Sequence, residues 1–304
     1  MIVYYDMKSR ITAVSILLFS FLSFLLGIRI IMQGTGGAGK GLSFVREKEK
    51  VAVIKVYGPI YVPDETSLLT GTKGSDRILD ELKWVLKDPA VKAVVLRFNS
   101  PGGSVGAVQE IFQEIDKAKA KGIKFVASFG DVAASGAYYL AADCDWIVAN
   151  PGSLTGSIGV LMGFPSLEKI LDKWGIDMEI IKSGQYKDMG SMFRRLSPEE
   201  KGLLTNLVMD VYEQFVDAVS QGRKMPREKV LELAKGQIFT GRIARELGLV
   251  DELGNINTAL DAAKRLSGIE GEAGIIKPRA SSWEEFIMLF RGMEEKYGHI
   301  IELL

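Results

Sequence analysis

Two serines stand in small-residue segments that a nucleophilic enzyme could use. Ser100 lies in Asn99-Ser100-Pro101-Gly102-Gly103, and Ser135 in Ala133-Ala134-Ser135-Gly136-Ala137. A serine hydroxyl attacks a carbonyl when a neighbouring group takes its proton, most often an imidazole. The chain of 304 residues has one histidine, His299, almost at its end. A zinc site of the His-Glu-x-x-His type needs two, and a Ser-His-Asp triad would hang on that single terminal side chain. If Ser135 is a nucleophile, its base is of another kind, and the known substitute is a lysine whose amine is kept neutral. No metal and no cofactor are expected. Cys144 is the only cysteine, so no intrachain disulfide can form.

Each segment also has a plainer reading. Gly102 and Gly103 let backbone N–H groups turn outward with no side chain in the way, which suits an oxyanion but equally an ordinary tight turn. Ser135, between Ala134 and Gly136, is either an approachable hydroxyl or a helix cap. Residue types alone leave both choices open, and they do not single out one lysine among the many, Lys182 and Lys187 included.

The elements that must hold these residues are legible from periodicity. Short β-branched runs at residues 51–56, 91–98, 125–129 and 146–149 alternate with helical patterns at 75–87 and 106–121 and a helix opening near Ser135. Such alternation predicts βαβ units and a mainly parallel sheet, an α/β fold. Leu167, Ile170, Leu171 and Trp174 form a helical face ended by Gly175, and residues 177–182 read as a further strand. Ser197-Pro198-Glu199-Glu200 is a capping box that opens a helix to about residue 221.

Composition narrows the class. Acidic and basic residues number 38 each, and without a basic run nucleic acid is not an expected partner. A hydrophobic share of 47% is ample for a sizeable core. Residues 11–28 are apolar and follow Lys8 and Arg10, near the minimum length for a membrane-crossing helix. No A-x-A-like cleavage site follows, which favours an uncleaved anchor over a signal peptide cut in the glycine-rich stretch. The expected organisation is a tail at 1–10, a transmembrane anchor at 11–32, a flexible linker at 33–50, a catalytic domain at 51–270 and a C-terminal segment at 271–304. A short N-terminal tail stays in the cytoplasm, so the domain is expected outside, on a single-pass cell-membrane protein. In the last segment Trp283, Phe286, Phe290, Tyr297 and Ile301 line one side of an amphipathic helix, expected to bury against the domain or a neighbouring subunit.

Taken in order, four motifs resemble the signal peptide peptidase A family of membrane-anchored Ser-Lys peptidases. They are Asn99 to Gly103, Asp131 to Tyr139, Thr155-Gly156-Ser157-Ile158-Gly159, and Gly248 to Gly254. The resemblance implies Ser135 as nucleophile, Lys187 as general base, Ser157 as the residue that orients the lysine, and Gly102 as an oxyanion donor. The amide of Gly136 is expected as the second donor, since it follows a nucleophile at a helix start. It further implies the caseinolytic-protease/crotonase-like fold of repeated ββα units behind an N-terminal transmembrane helix. Its substrates would be cleaved signal peptides or other apolar peptides. Its assembly would be a homo-oligomeric ring or dome, with the dyad shared between subunits. The alternatives are a crotonase-like acyl-CoA enzyme, a catalytically silent scaffold, and a related anchored peptidase that cuts a stomatin-like partner.

Overall fold

The computed structural model describes residues 48–63 and 74–278. The expected anchor at 11–32, nearly all of the linker and the amphipathic helix from Trp283 onward lie outside the described residues. Among the described residues no helix is long and apolar enough to cross a membrane.

Strand and helix alternate as the periodicity requires. β1 (Lys50–Tyr57), α1 (Gly74–Val85), β2 (Val91–Ser100), α2 (Val105–Lys119), β3 (Lys124–Ala134), α3 (Gly136–Ala142) and β4 (Trp146–Ala149) follow one another. After them come β5 (Leu154–Gly156), α4 (Glu168–Trp174), α5 (Pro198–Arg223), α6 (Arg227–Leu233), β6 (Ile238–Thr240), α7 (Gly241–Glu246), β7 (Glu252–Leu253), α8 (Ile256–Ser267) and β8 (Gly274–Ile276). One sheet runs β6-β5-β3-β2-β1-β8, with β4 paired to both β3 and β7. Among the described residues its pairings are parallel except for β5 with β6. β8 pairs with β1 inside the stretch assigned by sequence to the C-terminal segment.

Parallel strands covered on both faces read as nearly continuous apolar runs, and Val91 to Phe98 is such a run. On one face Ile54, Leu96, Phe98 and Phe129 pack with Ile111, Ile115 and Tyr138 from α2 and α3. On the other, Val53, Ala93, Val95 and Val126 meet Ala259, Ala262 and Ala263 of α8, whose small side chains bring the helix close.

The central strand β3 changes partner along its length. Residues 126–129 pair with β4, and residues 132–134 pair with β5. The splay leaves the end of β3 between β2 and β5, and Asn99 pins it there by accepting from the Val132 N–H at 3.2 Å.

Local signals resolve as the sequence implies at two ends. Gly175 caps α4 with φ 66°. At the start of α5, Ser197 Oγ accepts from the Glu200 N–H while the Glu200 carboxylate accepts from the Ser197 N–H at 2.8 Å. The strand expected at 177–182 does not form. The segment is irregular, with Ile181 95% exposed. Met178 and Ile180 keep the alternation, but among the described residues no strand pairs with them to complete a ladder.

Phe129 is fully buried and meets Phe98 and Tyr138 edge-on at 6.1 and 6.5 Å between centroids. Phe129→Ala is expected to destabilise the domain by about 3–5 kcal/mol, measured by denaturant unfolding; a loss under about 1 kcal/mol would show that this face is not the core.

Candidate active site

β3 and β5 end side by side. Ala134 pairs with Gly156, and the Ser135 N–H donates to the Gly156 carbonyl at 2.9 Å. Beyond this rung both chains turn on a serine with positive φ, 53° at Ser135 and 50° at Ser157. The ψ of Ser135 is −125°, which gives it the conformation of the first central residue of a type II′ turn, a place where glycine is ordinary and serine is strained. The turn swings the chain from the end of β3 into α3 and leaves Ser135 half-buried on a cavity wall. A sharp strand-to-helix turn of this kind exposes a nucleophile while its backbone stays fixed.

The second component is the turn after β2. It is anchored through Ile60, whose N–H donates to the Gly102 carbonyl at 2.9 Å and whose carbonyl accepts from the Ser104 N–H at 2.8 Å. Both glycines are required by contact. A Cβ on Gly102, whose φ is 100°, would stand 2.6 Å from the Gly136 nitrogen and 2.9 Å from the Ser135 Cβ, and one on Gly103 would overlap the Ile60 carbonyl. Gly136 faces them in turn: a Cβ there would lie 3.2 Å from the Gly103 nitrogen and 2.7 Å from Val108 Cγ2.

The amides of this contact divide into used and open. The Gly102 N–H donates to the buried Ser100 Oγ at 3.1 Å, and Gly102 is absent from the cavity wall. Gly103 and Gly136 both line the cavity with Ser135, and their N–H groups have no acceptor among the described residues. Gly103 is thus a residue that sequence reasoning passed over in favour of its neighbour. The signal that distinguishes them is the serine two positions before Gly102, which can take that amide.

The cavity, of about 750 Å3, opens beside Ser135 and Ser157 and is walled by Val105, Val108, Tyr139, Val208, Tyr212 and Phe215, among others. Tyr139 is backed by Phe112 and Phe215 at 5.4 and 5.1 Å, and burial raises its phenol above the ordinary value, so it stays neutral. Lys235 also lines the cavity.

Lys187 does not line it. It sits exposed in a turn, its N–H donating to the Gly184 carbonyl at 3.2 Å, and its side chain has no partner among the described residues. The carboxylate of the adjacent Asp188 is taken up by ion pairs. Arg194 and Lys182 grip its carboxylate at 2.8 and 2.6 Å and hold it far below the usual carboxylate range. Ser135, Ser157, Gly103 and Gly136 therefore meet within one chain, and Lys187 lies outside their cavity. No cluster of three or more metal-ligating side chains occurs among the described residues.

A sequence profile of peptidase family S49 matches residues 117–270, a span that includes Ser135, Ser157 and Lys187. Over 223 residues the chain is 44% identical to a putative protease of Synechocystis sp., covering 73% of this chain and 76% of that one. It is 37% identical over 242 residues to a putative signal peptide peptidase SppA of Enterococcus faecium, covering 77% and 70%. With Protease 4 of Salmonella typhi it shares 36% identity over 220 residues, which is 72% of this chain but 35% of that protein. Open amides beside a strained serine at the mouth of an apolar cavity fit what these relatives are named for, and the chain belongs to peptidase family S49, the serine peptidases.

Proposed function

We propose that the protein is a membrane-anchored endopeptidase that cuts apolar peptides, signal peptides among them, with Ser135 as nucleophile and Lys187 as base. The observation that carries this reading is Ser135 on its strained turn beside two open amides and an apolar wall. Ser135 Oγ attacks the scissile carbonyl carbon as a neutral lysine amine takes its proton, and the carbonyl oxygen becomes an oxyanion. The Gly103 and Gly136 N–H groups receive that charge; Gly102, the donor expected from sequence, supports the turn instead. The lysine then returns the proton to the leaving amine, and water, activated the same way, hydrolyses the acyl-enzyme. Ser157, at the end of the neighbouring strand, orients the lysine once it arrives. The wall residues Val105, Val108 and Phe215 suit an apolar side chain and so a signal-peptide core. The succession from β1 to β4 supports the caseinolytic-protease/crotonase-like arrangement, with the nucleophile after its third strand.

A lysine outside its own chain's cavity reaches a serine in another copy. Leu161, Trp174 and Ile181 are 88%, 70% and 95% exposed on the segment that carries Lys187, apolar side chains of the kind a partner surface covers. A second copy covering that segment would deliver Lys187 and also give residues 177–182 a neighbour to pair with. Repeated head to tail, the contact closes into a ring. Lys235 is the within-chain competitor, because it lines the cavity.

Three outcomes test this reading. Ser135→Ala and Lys187→Ala chains, each inactive alone, are expected to regain part of the wild-type rate on an apolar fluorogenic peptide when co-assembled. Confirmed co-assembly with no recovery refutes the shared dyad, and loss of activity in Lys235→Ala with an active Lys187→Ala makes Lys235 the base. Gly136→Ala is expected to lower kcat about 10²-fold by wedging the turn away from Ser135, and adding Val108→Ala should return part of it, since Val108 Cγ2 is the nearest obstacle. If the anchor at 11–32 holds, membrane-derived protein retains its N-terminus on sequencing; a mature start within 34–41 identifies a cleaved signal peptide.

A further inference from the structure

The turn that carries Lys187 is bound to the head of α5 on both sides of the lysine. Before it, Gln185 Nε2 donates to Glu199 at 3.1 Å, and the Tyr186 hydroxyl donates to the same carboxylate. After it, both Asp188 oxygens are held by Arg194, through Nε and one terminal nitrogen at 2.8 Å each. Arg194 then grips both oxygens of Glu200 at 2.8 and 2.6 Å. Glu200 is buried and is itself the capping-box residue that accepts from the Ser197 N–H. Lys182 completes the set, donating to Asp188 at 2.6 Å and to the Gln185 carbonyl at 3.0 Å. From Gln185 to Asp188, Lys187 alone has a side chain with no partner among the described residues.

Planar guanidinium forks fix carboxylates in direction as well as distance, which a lysine at Arg194 could not do on two carboxylates at once. Without Arg194, the Asp188 carboxylate next to Lys187 would keep Lys182 as its one cation. It would then favour the charged form of any ammonium nearby, and a charged lysine cannot take the proton of Ser135.

We propose that Arg194 is a positioning residue for Lys187: by clamping Asp188 and Glu200 together it fixes the lysine's turn on α5 and withholds the Asp188 carboxylate from the lysine. The proposal rests on the reading of Lys187 as base. The charged groups around the turn are Lys182, Asp188, Arg194, Glu199 and Glu200, and Arg195 close by pairs with Glu168 at 3.1 Å. Of these, Asp188 is the nearest anion in sequence to Lys187, and Arg194 is the cation that holds both of its oxygens.

The test uses the full chain in detergent, an apolar peptide substrate and the pH dependence of kcat, whose acid limb follows the neutral fraction of the base. Arg194→Met is expected to lower kcat about 10-fold with KM little changed and to move the acid limb up by about one pH unit. Asp188→Asn is expected to move it in the opposite direction, to lower pH. Should Arg194→Met fail to fold because Glu200 is left buried and unpaired, Arg194→Met with Glu200→Gln removes that charge and carries the same expectation. A purely structural role would lower activity in these variants without separating their acid limbs. Unmoved limbs, or limbs that move together, with Lys187→Ala inactive overturn this proposal alone; an active Lys187→Ala overturns it together with the dyad.

Discussion

The site depends on the close approach of the Gly102-Gly103 turn to the Ser135-Gly136 peptide, and the surrounding architecture can be understood as the means of holding it. Four glycine and serine backbones meet with no room for a Cβ on either Gly102 or Gly103. Contact this tight survives only if both partners are over-determined. On one side, Ile60 ties the turn by two backbone hydrogen bonds. On the other, the splayed end of β3 is held by β2, β5 and the Asn99 side chain. The buried packing of Phe98 and Phe129 beneath them keeps those strand ends from drifting. The apolar core thus bears on the position of the two open amides beside Ser135.

A different physical regime begins at residue 159. From there to about residue 195 the chain has little regular structure beyond α4, and its apolar side chains face outward. Beside α4 and a few backbone hydrogen bonds, the ion pairs of Asp188, Arg194 and Glu200 fasten it to α5. Helix α5 therefore joins two functions, since its head holds the turn of Lys187 and its later residues Val208, Tyr212 and Phe215 wall the cavity of Ser135.

Much of this was legible in the sequence where the cause is local. The capping box at Ser197 and Glu200, the stop at Gly175 and the apolar strands from Val51 to Ala149 each act through neighbours a few residues away, and each formed. The strand read at 177–182 did not, because a ladder needs a second strand, and alternation in one segment says nothing about where that strand is. The choice between Gly102 and Gly103 was hidden for a related reason: it turns on a hydrogen bond to Ser100 and a bridge to Ile60, a residue some forty positions away. Lys235 was passed over since its place on the cavity wall depends on how the stretch after α6 returns to β5, where the Gly236 N–H donates to the Ile158 carbonyl.

The conformation of Ser135 sets activity against stability at a single residue. An L-residue with a side chain costs of order 1–3 kcal/mol where φ is 53° and ψ is −125°. Glycine would sit there without that cost, offset only in part by the greater freedom it gives the unfolded chain. If Ser135 is the nucleophile proposed above, the fold would be as well or better served by a substitution that removes it. Selection for stability alone would drift this position toward glycine and, under the proposed mechanism, toward an inert protein.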